Sequence, residues 1–249
     1  MQRRIILSGL PTNPPAKIDK DQTNDQTAQL VKRIGDLQHR LYAEEKQSLL
    51  VVFQGMDASG KDGAAKNVFE ACNPSGLKVT GFKKPTEEEF AHDFLWRIHK
   101  CAPQKGMVQI FIRSHYEDVL IQRVHKWISE DRVLLRMDAI NSFEKLLLFD
   151  NNTRVLKFYM HISRENQKKE LQERIDMPEK RWKHNPADWK EAEFWSEYMR
   201  CYEDAINRSE IPWHIIPVDK RWYRDYMIAS VVCRQLEEMN PQLPLRKDP

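Results

Sequence analysis

Short, continuous apolar runs alternate along the chain with longer segments in which apolar residues recur at every third or fourth position. Continuous runs are typical of strands buried in a parallel sheet, whereas the wider spacing predicts helices with one apolar face. The predicted strands are 49–54, 77–82, 107–112, 154–162 and 213–218. The predicted helices are 30–41, 61–71, 86–99, 116–128, 139–150, one that begins after Ser163, one around 195–202, and 222–239.

The alternation of strands with helices predicts an α/β fold in which helices cover both faces of a parallel sheet. Residues 1–26 are polar and interrupted by prolines, so we predict an N-terminal arm there and a single domain over residues 27–249. Residues 164–190 carry eight lysines and arginines, and residues 175–190 show no regular period. This basic segment is the candidate lid over a binding site for anions.

Composition narrows the classes of protein. Of the 249 residues, 41% are apolar and 31% are charged, which suits a large core under a charged surface. The sequence has no apolar run long enough to span a membrane and no secretory signal at its N-terminus. Four scattered cysteines argue against a disulfide scaffold or a structural zinc site and indicate a reducing, cytoplasmic environment. The net charge of +3 does not indicate nucleic-acid binding.

Glycine is scarce, with eight residues in the chain, yet three of them lie between positions 55 and 63. Residues 55–61 match G-x-x-x-x-G-K between a predicted strand and a predicted helix, the context that a phosphate-binding loop requires. Glycines let backbone N–H groups converge on phosphate oxygens, and the helix N-terminus and Lys61 add positive charge. A plain strand-to-helix turn is the alternative. The predicted phosphate ligands here are Gly55, Asp57, Ala58, Ser59, Gly60 and Gly63.

Asp62 stands where this loop usually has serine or threonine. A carboxylate is a charged, hard ligand for Mg²⁺, and it would repel bound phosphates unless a metal ion lay between them. Asp62 therefore predicts a Mg²⁺-bridged, highly anionic substrate. The alternative is an acidic residue that only favours the helix N-terminus.

Longer strings around these residues resemble the type-2 polyphosphate kinases. The resemblance begins with GMDASGKDGAAK at 55–66, and continues with DFLWR at 93–97 and RSHYEDVL at 113–120. It extends in order through LKF at 156–158, RWK at 181–183 and PWH at 212–214. The resemblance implies a P-loop kinase fold, similar to that of thymidylate kinases, with a mobile helical lid. It also implies reversible, Mg²⁺-dependent phosphoryl transfer between inorganic polyphosphate and a nucleotide, with Mn²⁺ as a possible substitute.

The resemblance also implies roles for individual residues. The implied catalytic residues are Lys61, Asp62, Arg113, Glu117 and Asp118, with Asp62 and Glu117 as metal ligands. The implied polyphosphate ligands beyond the loop are Lys66, Arg123, Arg174, Arg181 and Lys183. The implied nucleotide ligands are Phe82, Lys83, Arg97 and Glu117.

Arg113 and Glu117 bear on chemistry and specificity. Arg113 follows the strand 107–112, at the sheet edge where ligands bind in doubly wound folds. Its guanidinium group can bind a phosphate through two nitrogens. The alternative is an ion pair between Arg113 and a carboxylate. Glu117 and Asp118 resemble the subclass that phosphorylates both AMP and ADP, since the ADP-only subclass tends to carry Asn-Arg there. GMP and GDP are further candidate acceptors.

The resemblance also implies a homo-oligomer, for which the apolar stripe 30–41 is a candidate surface.

Ile112 departs from the resemblance, because the family usually has Asp or Asn immediately before this arginine. An isoleucine cannot hold a metal ion, so either Asp62 with Glu117 or Asp118 holds it, or turnover is impaired, or the residue is an engineered change. Three alternatives to a polyphosphate-dependent kinase remain. They are an ATP-dependent nucleoside monophosphate kinase of the same fold, a polyphosphate-binding protein whose turnover Ile112 has impaired, and a nucleic-acid binder. The last is disfavoured by the low net charge and by Asp62.

Overall fold

A computed structural model describes residues 4–245, and within them five parallel strands form one sheet in the order β2-β3-β1-β4-β5. The strands are β1 (Ser48–Gln54), β2 (Leu77–Gly81), β3 (Val108–Ile112), β4 (Thr153–His161) and β5 (Trp213–Pro217). Every residue of the central strand β1 is buried, as its continuous apolar run requires. In the register, Phe53 lies opposite both Ile112 and Phe158. Strands β1 and β3 therefore end within one residue of each other at the edge where the glycine-rich loop begins, while β4 continues to His161.

The α-helices of the described residues pack around this sheet. They are α1 (Lys20–Glu44), α2 (Lys61–Val68), α3 (Glu87–Ala91), α4 (Trp96–His99), α5 (Glu117–Val124), α6 (Glu130–Asp150), α7 (Arg164–Asp176), α8 (Pro186–Glu193), α9 (Trp195–Arg208) and α10 (Arg221–Met239). Short 3₁₀ turns lie at Leu7–Gly9, Pro74–Gly76 and Pro178–Lys183. The five predicted strands and the α/β class are thus confirmed, with ends that differ by one residue.

Helix α1 differs from its prediction in extent and in role. It begins at Lys20, where the Asp19 side chain accepts a hydrogen bond from the Gln22 N–H, so the end of the predicted arm is helical. The apolar stripe of 30–41 is buried, with Ile34, Leu37 and Leu41 each no more than 3% exposed, and α1 packs on α10. The stripe belongs to the core, and its proposed use as an oligomer surface is wrong.

The described part of the N-terminal arm lies against the body of the protein. The backbone of Ile5 both donates to and accepts from the side chain of Asn207, and Leu7 is buried in the core. The Thr12 hydroxyl donates to Asp219 at 2.7 Å. These contacts span about two hundred residues of sequence, so the sequence of the arm could not reveal them.

Several helices depart from their predicted limits for local reasons. The capping box of Thr86 and Glu89 is present, but the helix predicted over 86–99 is divided between α3 and α4. The Asp93 side chain accepts the Leu95 N–H, which competes with a continuous helix. Helix α6 begins at Glu130, nine residues before its prediction, behind a Ser129 cap. Part of the irregular segment 175–190 forms α8, whose N-terminus is capped by Asn185.

No helix within residues 4–245 is long and apolar enough to cross a membrane.

Candidate active site

The glycine-rich loop joins β1 to α2 and is held tightly by its surroundings. Gly60 has φ 82°, in the left-handed region, and a Cβ there would lie 2.3 Å from Nη1 of Arg224. A Cβ on Gly55 would lie 2.9 Å from Cβ of Met160 on β4. A larger residue at position 60 would be strained by the left-handed φ and would displace the Arg224 guanidinium, and one at position 55 would clash with the backbone carbonyl and Cβ of Met160. The two glycines of the G-x-x-x-x-G-K pattern are therefore required by the packing as well as by the phosphate-binding motif.

Lys61 lies at the centre of this loop. Its Nζ donates to the carbonyl oxygens of Gly55 at 2.8 Å and Met56 at 2.9 Å. The side chain is buried, and burial lowers its pKa to about 8, although Asp57 opposes the shift. The loop's own carbonyls thus hold the ammonium group where phosphate oxygens are expected to bind.

Arg113 and Asp57 form an ion pair across the loop. Arg113 follows β3 with φ 61°, a left-handed conformation that is rare for a side-chain-bearing residue, and its N–H donates to the Phe53 carbonyl. Its Nη2 lies 2.5 Å from Oδ1 of Asp57. Burial acts against the charge of Asp57, but Arg113 and Lys61 together keep the pKa of Asp57 below its usual range. Arg113 therefore forms the ion pair that was the alternative to phosphate binding, and this pair lies at the predicted phosphate site.

Glu117 begins α5 and faces the same cations. Its carboxylate accepts a short hydrogen bond from Nε2 of Gln54, the last residue of β1. Gln54 Oε1 in turn accepts from the Ser114 hydroxyl at 3.2 Å. Burial raises the pKa of Glu117, while Arg113 acts in the opposite direction. Gln54 thus links the end of β1 to the turn that carries Arg113 and Glu117.

A cavity of about 1170 Å³ opens beside the loop. One wall is apolar and includes Phe94, Trp127 and Leu135. Cations on the same side include Arg97, whose Nη1 donates to the Lys83 carbonyl at 2.9 Å, and Arg136, which lies 5.0 Å above the Phe94 ring. The combination of an apolar wall, cations and the glycine-rich loop suits a ligand with an aromatic part and an anionic part.

Helices α7 and α8, in the predicted lid, also line this cavity. Gln167 is buried, and its Nε2 donates to the backbone carbonyl of Asp57 at 3.1 Å. Arg174 bonds Asp188 at 2.6 Å, and Asp188 lines the cavity. Burial and the nearby Asp57 raise the pKa of Asp188. The lid segment is therefore in contact with the phosphate loop in this conformation.

The structure brings together most of the predicted residues. Those at the loop or lining the cavity are Gly55, Asp57, Ala58, Ser59, Gly60, Lys61, Asp62, Gly63, Lys83, Arg97, Arg113, Glu117 and Asp118. Asp118 faces Arg97 at 3.4 Å and accepts from Gln122 at 2.6 Å, so it holds a cation of the cavity wall. Burial raises its pKa, with Arg97 acting against the shift.

Other predicted residues lie outside the cavity. Phe82 is a core residue that packs edge-on against Phe111 at 4.9 Å. Arg181 and Lys183 are exposed; Nε of Arg181 donates to the Ile175 carbonyl. Lys66 is exposed on α2, beyond the first turn.

Arg123 is the clearest departure from its predicted role. Its guanidinium pairs with Glu130 at the start of α6 and with Asp204 of α9, the latter at 2.7 Å. Two carboxylates already occupy its donors, and the side chain is 8% exposed. In this conformation Arg123 joins three helices, and its predicted place among the polyphosphate ligands stays a prediction.

Four residues that sequence reasoning left out contribute to the site. Gln54 and Gln167 make the contacts described above, and Asp188 pairs with Arg174. Arg224, which is buried on α10, donates to the Gly60 carbonyl at 3.3 Å and is oriented by Asp225. Only Gln54 had a local signal, a polar residue that ends an apolar strand immediately before the glycine-rich loop.

The carboxylates at this site suit a magnesium ion that is bound together with phosphates. Within residues 4–245, no three His, Cys, Asp or Glu side chains are close enough to form a complete metal site. Mg²⁺ in phosphoryl-transfer enzymes needs only one or two carboxylates, because waters and substrate phosphates fill the other positions. Asp62 is exposed in the first turn of α2 and makes no ion pair in the described chain, and Glu117 opens α5. This donor set fits the ion.

Comparison with known proteins identifies the family. A family model described as polyphosphate kinase 2 matches residues 17–244. The chain belongs to this family. It is 43% identical over 228 residues to the AMP/ADP-polyphosphate phosphotransferase of Meiothermus ruber, covering 90% of this chain and 85% of that protein. It is 35% identical to the ADP-polyphosphate phosphotransferase of Rhodopseudomonas palustris, covering 92% and 86% of the two chains.

A solved structure supports the same assignment to the polyphosphate kinase 2 family. The crystal structure of polyphosphate kinase 2 from Arthrobacter aurescens TC1 matches with a TM-score of 0.93 and 37% identity, covering 98% of this chain and 89% of that chain. The resemblance carried by residues 55–66 and 113–120 is thereby confirmed, as are the P-loop kinase fold and the expectation of a kinase.

Proposed function

We propose that this protein transfers a phosphoryl group from inorganic polyphosphate to AMP and ADP, reversibly and with Mg²⁺, and that GMP and GDP are further acceptors. The proposal rests on one arrangement: Arg113 lines a cavity with an apolar wall, and Lys61 lies in the loop that borders the same cavity. A nucleotide has an aromatic base for that wall and phosphates for those cations. The Meiothermus ruber relative is an AMP/ADP-polyphosphate phosphotransferase, and this similarity supports the choice of AMP and ADP as acceptors.

The proposed chemistry requires alignment and charge more than covalent help from the protein. The terminal phosphate oxygen of the acceptor attacks the terminal phosphorus of polyphosphate, and the bond to the bridging oxygen breaks, leaving a shorter chain. Lys61 and the N–H groups of the loop stabilise the charge on the transferred group. One guanidinium nitrogen of Arg113 pairs with Asp57, and the remaining N–H groups can donate to phosphate oxygens. Arg113 thereby orients both substrates.

Asp62 and Glu117 are the residues that would hold Mg²⁺, with Mn²⁺ as a substitute. When bound, the ion supplies positive charge that neutralises the phosphates. Asp62 presents its carboxylate outward beside Lys61, and Glu117 is oriented by Gln54. Because both lie in the first turn of a helix, the helix N-terminus also favours their charged forms.

Polyphosphate has no base to recognise, so its path should consist of cations alone. Lys66 on α2 and Arg181 and Lys183 on the lid are exposed, and we place them along the outer part of that path. Arg174 is nearer to the reaction site, because its partner Asp188 lines the cavity. A shift of the lid that released Arg174 from Asp188 would add a cation to the path.

A donor and acceptor screen tests this proposal. The chain is incubated with polyphosphate or ATP as donor and AMP, ADP, GMP or GDP as acceptor, with and without Mg²⁺ or Mn²⁺, and products are separated by anion-exchange chromatography. We expect ADP and ATP from AMP with polyphosphate, and ATP from ADP, only with metal. Transfer from ATP to AMP without use of polyphosphate would support the monophosphate-kinase alternative. Tight polyphosphate binding without any product would support the binding protein.

We also propose a homo-oligomer that works in the cytoplasm, where nucleotides are available as substrates. Because the 30–41 stripe is buried, the candidate oligomer surface is the C-terminal part of α6. Leu146, Leu148 and Phe149 are partly or largely exposed there, and Phe149 is 76% exposed. Neighbouring exposed apolar side chains of this kind are typical of contact surfaces.

A further inference from the structure

A group of charged and polar side chains lies in the core directly beneath the turn that carries Arg113 and Glu117. Lys157 of β4 and Glu144 of α6 are both 0% exposed, and Nζ of Lys157 lies 2.6 Å from Oε2 of Glu144. The same Nζ donates to the Tyr116 hydroxyl at 2.6 Å. Burial acts against the charge of Glu144, but Lys157 and His115 keep its pKa below the usual range. Neither residue lines the cavity.

Glu144 binds two residues of the turn at once. Its Oε1 accepts from the Tyr116 hydroxyl at 3.0 Å and lies 3.2 Å from Nε2 of His115. Because a carboxylate can only accept, the geometry requires the hydrogen on Nε2 of His115. Both rings are 0% exposed, so water offers them no alternative partner.

The turn is held from its other side by the contacts of the active site. The Tyr116 N–H donates to the Ser114 hydroxyl at 3.2 Å, and that hydroxyl donates to Gln54, which also binds Glu117. The chain Glu144–Tyr116–Ser114–Gln54–Glu117 is therefore continuous. Ser114, a member of this chain, directly follows the left-handed residue Arg113, whose conformation persists only where the surroundings hold it firmly.

A buried ion pair is a costly way to fill a core. Apolar side chains of similar volume are often equally or more stable, so a buried pair is weak grounds for a role in stability alone. A fully hydrogen-bonded pair does, however, select one orientation of the groups that it touches. Here those groups are two consecutive residues of the turn that carries the proposed phosphate and metal ligands.

We infer that Glu144 is a positioning residue for phosphoryl transfer: by holding His115 and Tyr116 it sets the turn 113–117, while Lys157 keeps its carboxylate charged and oriented. Neither residue touches substrate. This inference rests on the proposed function, because the turn matters for catalysis only if Arg113 and Glu117 act on the phosphates.

Two double variants separate positioning from packing. Glu144→Gln, Lys157→Met and Glu144→Leu, Lys157→Met both remove the buried charges and keep similar volume, but only glutamine retains an acceptor for His115 and Tyr116. We expect the Leu double variant to lose kcat by about 10- to 100-fold, because small misplacements are costly in this kind of chemistry. Its KM values should change by less than about threefold, because the substrates still bind. The Gln double variant should keep most of kcat.

Thr153→Val is the matched control. It removes the buried hydrogen bond between Ser48 and Thr153, 2.8 Å long, at the opposite end of the same strands, and leaves the turn untouched. This variant should keep the wild-type kcat even where its Tm falls. Equal kcat in the Gln and Leu double variants, or equal loss of kcat in Thr153→Val, would overturn the positioning role.

Amide hydrogen exchange gives a readout that does not depend on catalysis. In the Leu double variant, residues 113–118 should exchange faster than in the wild type, while α10 remains unchanged. If that variant does not fold, Tyr116→Phe replaces it, and unchanged exchange at 113–118 would overturn the inference. If the wild type transfers no phosphate but the turn loosens as expected, the proposed function fails and the structural role of Glu144 stands.

Discussion

Lys61 shows how a single side chain is prepared for phosphate. In the loop its ammonium group rests on the Gly55 and Met56 carbonyls, so its position is set before any ligand binds. Preorganised charge of this kind loses little entropy or solvation when the transition state forms.

Replacing Lys61 should therefore abolish most of the activity. Lys61→Ala should lower kcat by about 10²- to 10³-fold, because it removes a charge that stabilises the transferred group. Lys66→Ala makes the same change on an exposed position of the same helix and should mainly raise KM for polyphosphate. Steady-state kinetics with far-UV circular dichroism as a folding check would measure both. Turnover of a folded Lys61→Ala enzyme at the wild-type rate would contradict the assignment of the loop.

Glu117 should decide whether AMP is accepted as well as ADP. AMP has one phosphate fewer, so its reacting oxygen needs support from a metal ion or water that a carboxylate at 117 can hold. Glu117→Asn should lower kcat/KM for AMP selectively and leave ADP less affected, because positioning is felt in the transition state. Glu117→Gln, which keeps the side-chain length, is the companion variant. If AMP and ADP suffer equally, or neither does, Glu117 is a helix-start residue and nothing more.

Position 112 is the most informative place to restore a residue that the resemblance implies. It ends β3 partly buried, packs on the core, and stands where the resemblance implies Asp or Asn. Ile112→Asn should lower the Mg²⁺ concentration needed for half-maximal rate, because an amide oxygen at the end of β3 can ligate the ion. A titration with Mg²⁺ measures this, with Ile112→Val as the control for packing. An unchanged Mg²⁺ requirement in a stable variant would mean that the site works without a ligand at 112.

The helices around the active site are held in place by side-chain contacts with one another. Helix α5 carries Glu117 at its N-terminus, and near its C-terminus Arg123 ties it to α6 and α9. Likewise α7 contacts the phosphate loop through Gln167, and it contacts α8 through Arg174 and Asp188. The ion pairs of Arg123 fix α5 against α6 and α9. The contacts of Gln167 and Arg174 join the lid to the phosphate loop.

Arg123 should therefore affect stability more than polyphosphate binding. Arg123→Met should lower the free energy of unfolding by about 1–3 kcal/mol, because a largely buried charged donor of two carboxylates is lost. Urea denaturation measures the change, and KM for polyphosphate should stay near the wild-type value. Arg200→Met removes the same charge from an exposed position of α9 and serves as the control. A large rise in KM at unchanged stability would return Arg123 to the polyphosphate path.

At the scale of the whole molecule, assembly remains a prediction that the apolar end of α6 supports. Phe149→Ser should dissociate the oligomer, because it removes the most exposed apolar side chain of that surface. Light scattering after size-exclusion chromatography measures the mass, and Leu245→Ser, at a position 93% exposed near the end of the described chain, is the control. A monomeric wild type would contradict the oligomer, and an oligomeric Phe149→Ser would move the interface elsewhere.

The sequence by itself determined the five strands, their alternation with helices and the loop, because the causes of these features are local. A continuous apolar run suits a buried parallel strand, and glycines at positions 55 and 60 suit a chain that passes against Met160 and Arg224. The order of strands and helices in turn limited the fold to a parallel sheet with covered faces. Each of these signals is contained in about ten neighbouring residues.

Tertiary structure alone decided which partner each charged or amide side chain has. Gln167 reaches the Asp57 carbonyl across 110 positions of sequence, and Arg123 reaches Asp204 across 81. A basic residue on a helix face has the same local pattern whether it faces a phosphate, a carboxylate or water. The same limit explains why the periodicity of residues 30–41 does not show whether the stripe faces the core or another subunit. A periodic pattern shows that one face is apolar, and only the packing of distant segments shows what covers that face.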